Sequence, residues 1–426
     1  MFYPNAFSFV LLRPQAMTDD ITLSPVHRRV LRSQIISESE PGAVLRDFAS
    51  LLDFVGAHEI AVSGKHQLLP MSLLADLNSR LSRTNTVNLK RPQQKSYPYI
   101  SGLYLLLRAS GLSLVEHRRN KQFLLLDDDA LRSWHGLNMT ERYFALLGAW
   151  LIRGRGEILG EDRYPFSELS RCRDFVQSIP KAGLKVAGDK QTESMLPFQP
   201  GLHNVALLDM FGIVSVWHGE TEAGKAWSIS RIFRKPFGDA LFHLLSDISS
   251  DEIELWWPVK NRRDETAMFH DFQSRLQPFF PEWQKTLTLP ETPLRDDLHV
   301  FKVSLGRVWR RITTPGGMTL EALSDAILEA FDFDNDHLHL FRYRNRFGIY
   351  EEVKHPYTEE SPSTAEVKIG ELLLRPGSTL EYLFDFGDNW IFEVRLEKLE
   401  PVNPKIRKLV VVDGRGQAPP QYPNFD

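Results

Sequence analysis

The chain has 426 residues, enough for two to four domains each with its own core, and its 42% apolar and 25% charged content is that of a folded globular protein. A formal net charge of −4 excludes a wholesale polycation, so contact with nucleic acid must come from local patches. One cysteine, Cys172, excludes an intrachain disulfide and a multi-cysteine zinc site. That usage fits a reducing cytoplasm, with the thiol read as a structural residue on a helix.

In chain order, residues 1–20 read as an extension. Phe7 to Leu12 is too short for a membrane span, which needs ~20 apolar residues, and Met17 would be a natural start of translation. Helical periodicity then dominates. Val44, Leu45, Phe48, Leu51, Leu52 and Val55 recur at three- and four-residue steps, as do Leu73, Leu74, Leu77 and Leu81. Tyr99, Leu103, Leu106 and Leu107 form a third stripe, stopped by Gly111. Leu112–Val115 and Gln122–Leu126 read as two strands around the polar turn His117–Asn120. Three helices and a two-stranded wing give the order of a winged helix-turn-helix, placed within residues 21–160.

A second such unit is expected over 161–288. Val205–Gly212 repeats the glycine-closed helix. Ile213–Trp217 and Ala226–Ile229 read as strands around a Gly219–Gly224 turn, and Asp239–Leu245 as a following helix. Helices at 139–153 and 166–178 bridge the two units.

Two basic clusters mark the first unit. Arg80, Arg83, Lys90, Arg91 and Lys95 have no acidic residue between them, and Arg118, Arg119 and Lys121 sit on the wing tip. Phosphate contacts need such donors, so duplex DNA is the expected partner of this unit. Glu220 and Glu222 on the second wing repel phosphate, which suits packing or dimerisation instead. Leu289–Pro293 is the expected linker.

From residue 294 the pattern changes. His299, Phe301, Val303 and Leu305 alternate as a strand; Thr319 caps a helix bearing Leu320, Leu323, Ile327 and Phe331; His337–Tyr343 returns to strand. Leu380, Tyr382, Phe384 and Phe386 face Trp390, Phe392, Val394 and Leu396 across a Gly387-Asp388-Asn389 turn. The fold class is therefore α+β and multidomain. This domain carries 17 Lys/Arg against 22 Asp/Glu, the remainder 34 against 33.

Val308-Trp309-Arg310-Arg311-Ile312, the helix opened by Thr319, Asp336-His337-Leu338-His339-Leu340-Phe341 and Phe384-Asp385-Phe386-Gly387-Asp388 follow in order. Over about residues 298–418 this succession resembles the plasmid pRiA4b ORF-three-like family. The resemblance implies an α+β domain and a mobile-DNA context, and no reaction. It also implies a Pro-Pro-Glu-Asp segment and a further helical stretch. Here Pro419-Pro420 is followed by Gln421-Tyr422 and the sequence stops at Asp426. An activity using those two carboxylates is therefore not expected.

Three groups bear on chemistry. Asp332–Asp336 opens like a calcium loop, but the sixth and twelfth positions hold His337 and Tyr343 in place of glycine and glutamate. His337 and His339, two apart on one strand face, would ligate a divalent metal if Asp385 or Asp388 lay beside them. Arg310 and Arg311, beside Trp309, would bind an anion or pair with Asp385 and Asp388. Arg311 is the expected partner of Asp385, with Trp309, His337, His339 and Asp388 gathered on the same side of the sheet.

No phosphate-binding glycine loop, nucleophile elbow or zincin motif occurs in the sequence. The leading expectation is thus a non-catalytic, DNA-associated protein without a cofactor, whose C-terminal domain holds a protein partner or ligand. The alternatives are a metal-dependent enzyme using His337, His339 and Asp385, and an adaptor whose winged helices dimerise.

Overall fold

The computed structural model describes residues 23–422 apart from 119–120, 162–166, 222, 225, 247–264 and 291–293. The expected extension, Arg119, Glu222 and the last three residues of the expected linker lie outside the described residues. The fold is α+β, with helices and two small sheets ahead of a large C-terminal sheet.

The N-terminal part opens with α1 (Pro25–Ser33), α2 (Val44–Ala57), β1 (Ile60–Val62) and α3 (Met71–Arg80). Then come α4 (Pro98–Ala109), β2 (Ser113–Arg118) and β3 (Lys121–Leu126). The strands pair antiparallel in the order β1-β3-β2. Gly111 makes the sharp exit from α4 at φ +77°, a conformation that a Cβ would strain. Bridging helices follow: α5 (Asp128–His135), then α6 (Met139–Gly148), which continues as a π-helical turn over Ala149–Arg153.

The same order recurs in α7 (Glu168–Ser178), β4 (Leu184–Lys185), α8 (Lys190–Met195), α9 (Leu202–Met210), β5 (Val214–His218) and β6 (Ile229–Arg234). Its strand order, β4-β6-β5, repeats the first, and Gly212 leaves α9 at φ +67°. The second strand of this hairpin starts at Ile229, later than Ala226. Ser228 is still in the turn, its carbonyl accepting from Gly219 N, while Trp227 lies against the Tyr99 and His218 rings. Helices α10 (Pro236–Leu244) and α11 (Glu265–Leu276) complete this part, and one continuous apolar core runs from Leu23 to Trp283.

The C-terminal part has a separate core. In chain order its elements are β7 (Leu298–Leu305), β8 (Val308–Pro315), α12 (Leu320–Phe331), β9 (His339–Arg344), β10 (Tyr350–Lys354), β11 (Thr379–Phe384), β12 (Trp390–Glu400) and β13 (Val410–Arg415). They form a seven-stranded antiparallel sheet, β10-β9-β11-β12-β7-β8-β13. Thr319 caps α12 by accepting from Ala322 N, and Leu320, Leu323, Ile327 and Phe331 bury that helix's inner face.

The expected alternation breaks at two places. Strand β9 starts at His339, so His337 precedes it. Strand β11 ends at Phe384, because Asp385 takes φ +56° and turns the chain; Phe386 consequently points out, 43% exposed.

The two parts meet at the β9–β10 turn. Arg346 donates to Asp127 (2.8 Å) and to the Gly111 carbonyl (3.0 Å). The Arg153 guanidinium lies 4.1 Å from the Phe347 ring centroid, and Tyr350 N donates to Glu157 at 2.6 Å. Among the described residues no helix is long and apolar enough to cross a membrane.

Candidate functional site

The helix that would enter a DNA groove, α4, is buried along its whole length. A helix apolar on all sides must be covered on all sides, and α9 supplies one cover. The contact is closest at Gly102, where a Cβ would lie 2.8 Å from the Leu207 side chain. The two repeated units therefore pair with each other inside one chain through the helices expected to face DNA or a second copy.

The first basic cluster divides accordingly. Arg80 is paired with Asp76 at 3.0 Å and stacked on Phe54. Arg83 reaches across to the second unit, 2.8 Å from the buried Asp209 carboxylate and 3.2 Å from the Val216 carbonyl. Asp209 also accepts from Tyr99 Oη (2.9 Å) and Val216 N (3.0 Å). Burial still holds its pKa above the ordinary carboxylate value, against the pull of Arg83. Lys90, Arg91 and Lys95 are exposed and have no ion-pair partner among the described residues. At the wing, Arg118 pairs with Glu59 (3.1 Å) and Glu116 (2.8 Å), and Lys121 is exposed.

In the C-terminal sheet the expected constellation separates. Arg311 on β8 engages Glu397 (2.7 Å), beyond β7 on β12, and Asp413 on the adjoining β13, with Trp309 beneath it, and these carboxylates raise its pKa further. Arg310 donates to the carbonyls of Ala330, Trp309 and Gly416 and stacks on Phe331. Neither arginine meets Asp385, whose Oδ1 instead accepts Gly387 N at 2.8 Å within its own turn. His337 Nε2 lies 3.5 Å from Asp385 Oδ2, and Asp388 is exposed.

His339 points elsewhere. Its ring is buried, Nδ1 lies 3.3 Å from Ser324 Oγ and Nε2 3.0 Å from Thr364 Oγ1, and Ser324 in turn meets Tyr382 Oη at 2.6 Å. Burial, with His355 stacked edge-on at 4.7 Å, pushes the His339 pKa down to about 3. A neutral imidazole engaged at both nitrogens has no free lone pair to offer a metal. Thus His337, His339 and Asp385 do not converge, and no group of three or more His, Cys, Asp or Glu among the described residues is arranged to hold a metal ion.

The departure from Pro-Pro-Glu-Asp has a local physical reason. Gln421 accepts from Asp334 N and donates to Asp336 (3.0 Å), and Tyr422 Oη donates to Asp336 (2.5 Å). Carboxylates at 421 and 422 would face Asp334 and Asp336; an amide and a phenol supply donors there. Cys172 is fully buried, and burial holds its thiol pKa well above the usual range, away from nucleophilic use.

A cleft of about 470 Å³ opens where the β2–β3 hairpin faces the C-terminal sheet. Lys65 and Arg108 line it from the N-terminal side, Arg295, Arg344, Arg346 and Arg375 from the other. Of its two carboxylates, Asp127 is paired with Arg346 and Asp129 with Arg132, which lies outside the lining. Sequence reasoning passed over these cations. The signal was Arg108 itself, a lone charge in the apolar run Leu103-Tyr104-Leu105-Leu106-Leu107.

Residues 299–422 match the model of the family described as Plasmid pRiA4b ORF-3-like protein. A curated relative, Uncharacterized protein y4hQ of Sinorhizobium fredii (strain NBRC 101917 / NGR234), is 26% identical over 116 residues, 27% of this chain and 58% of that one. The match thus spans under two thirds of that relative. A solved protein of unknown function from Methanosarcina mazei Go1, MM3350, is 27% identical over 29% of this chain and 72% of its own, with a TM-score of 0.27. The C-terminal sheet domain, residues 299–422, belongs to the plasmid pRiA4b ORF-3-like family.

Proposed function

We propose that this is a non-catalytic, DNA-associated protein of the cytoplasm that touches duplex DNA through its phosphates rather than through its bases. The N-terminal repeat then works as one preassembled body, two winged-helix-like units joined at α4 and α9, and the C-terminal domain holds a partner or ligand. The observation that carries this reading is the division among the cations. Arg80, Arg83 and Arg118 are engaged by carboxylates, whereas Lys90, Arg91, Lys95 and Lys121 are exposed without an ion-pair partner among the described residues. Burial of α4 removes the element that would read base edges, so binding should be weak, sequence-tolerant and salt-dependent.

Fluorescence anisotropy with a labelled duplex at increasing potassium chloride tests this. The combined Lys90→Glu, Arg91→Glu, Lys95→Glu variant should bind more weakly and lose up to ~3 of the log–log salt slope, since each phosphate contact contributes ~0.9. Absence of duplex affinity for the unaltered chain at low salt would remove the proposal.

A further inference from the structure

We infer that the cleft between the β2–β3 hairpin and the C-terminal sheet is a binding site for a phosphate-bearing anion, centred on Arg108. Arg108 is 3% exposed at the end of α4. One of its terminal nitrogens donates to the neutral Gln67 amide at 3.3 Å; the other, Nη1, is buried with no hydrogen-bond partner. Among the described residues no carboxylate is paired with it, and the charge of Arg344 acting on it has the same sign. A guanidinium taken out of water needs a counter-charge or a full set of acceptors, and here the protein supplies neither.

The surrounding groups deepen the deficit. Lys65, Arg295, Arg344 and Arg375 line the same space and form no ion pair among the described residues. Arg344 donates to the Gly348 carbonyl and stacks on Tyr350, 4.1 Å from the ring centroid, with its Nε unpartnered. That stack orients the guanidinium plane without neutralising it. Five unbalanced cations around one space suit a ligand with several oxygens and more than one negative charge. Planar guanidinium forks match phosphate oxygens in both respects, whereas a lone carboxylate would leave most of the charge uncompensated. The volume, about 470 Å³, is that of a small-molecule site.

The walls come from both parts of the chain, so an occupant would tie them together. The site lies apart from the exposed cations of residues 90–95 and stands or falls independently of them. Two sources offer the same chemistry: a free phosphomonoester, or a phosphate in a nucleic-acid backbone.

Calorimetry and thermal melting of the full chain test the site, using inorganic phosphate, a nucleoside monophosphate and a short duplex against chloride at matched ionic strength. Phosphate or the monophosphate should bind and raise the melting temperature beyond the chloride control. Arg375→Glu and Arg295→Glu, both only partly buried, should each weaken that binding about tenfold or more, and Lys90→Glu should leave it unchanged. Arg108→Met should melt no lower than the unaltered chain without phosphate, since it removes an uncompensated buried charge, and should no longer respond to phosphate. A response to duplex alone, abolished by Arg375→Glu but not by Lys90→Glu, would assign the phosphate to a nucleic-acid backbone. No shift beyond chloride, or a shift indifferent to Arg375→Glu, means an adventitious ion only and overturns the inference.

Discussion

Acid should destabilise the C-terminal domain through its most strongly shifted imidazole, and the size of the effect follows from its surroundings. His339 is 1% exposed and its folded-state pKa is pushed down to about 3 by burial and by His355. In the unfolded chain its pKa returns to the ordinary value near ~6.5, so between these limits the unfolded state binds the extra proton. Stability is therefore complete above about pH 6.5 and declines as the pH falls toward ~3. At pH 5 the difference amounts to about 2 kcal/mol, and at pH 3 to about 4 kcal/mol.

Burial also lowers the pKa of His117 and His218 in the N-terminal part and of His299 on β7 of this domain, which adds acid sensitivity of the same sign. A paired comparison isolates His339. Urea unfolding of the unaltered chain and of His339→Gln, whose amide can still meet Ser324 and Thr364, should be followed at pH 7 and pH 5. The unaltered chain should lose about 2 kcal/mol more than the variant over that interval. Equal losses would refute the reasoning, as would a carbon-detected titration placing the His339 pKa above 5.

Two further expectations concern ion pairs. Asp385→Ala removes a turn acceptor at a positive-φ residue, not a buried arginine's partner, so it should cost about 1–2 kcal/mol in a urea melt while Asp385→Asn stays within about 0.5; a loss of about 3–5 kcal/mol would restore the buried-pair reading. At the seam, a double-mutant cycle on Arg346 and Asp127, both at least 86% buried, should give a coupling of about 1 kcal/mol or more, and zero coupling would show that Phe347 and Arg153 hold the two parts together.

What was legible in the sequence was what short-range physics dictates. Gly111 and Gly212 each leave a helix at positive φ and enter a strand, and a glycine after an apolar stripe announces that. The β11–β12 hairpin was legible for a similar reason: alternation over six residues on each side leaves little choice of register. It failed where one backbone angle changed. Asp385 at φ +56° ends the alternation, sending Phe386 to solvent and making the carboxylate a local acceptor. Strand pairing likewise chose the partners of Arg311, because Glu397 and Asp413 come from strands far along the chain, and no local spacing encodes that neighbourhood. The burial of α4 was present in the sequence in another form. Ile100, Tyr104 and Leu105 fill the positions between the stripe residues, and an apolar helix without a polar face must be covered on every side.

Charge shows the same division between near and far. Arg80, Arg83 and Arg118 look like a docking surface in the sequence, yet each has found a carboxylate in the fold. The cations of the cleft run from Lys65 to Arg375, far too scattered to register as a patch. Net charge misleads further, since the C-terminal domain carries 17 − 22 = −5 and still contributes four of those six cations. Four of its carboxylates pair away from the cleft: Glu397 and Asp413 with Arg311, Glu352 and Glu381 with Arg342. Once local pairs are closed, the sign of a surface is set by the residues that topology leaves without a partner. At the cleft that remainder is positive, in a domain whose composition is acidic.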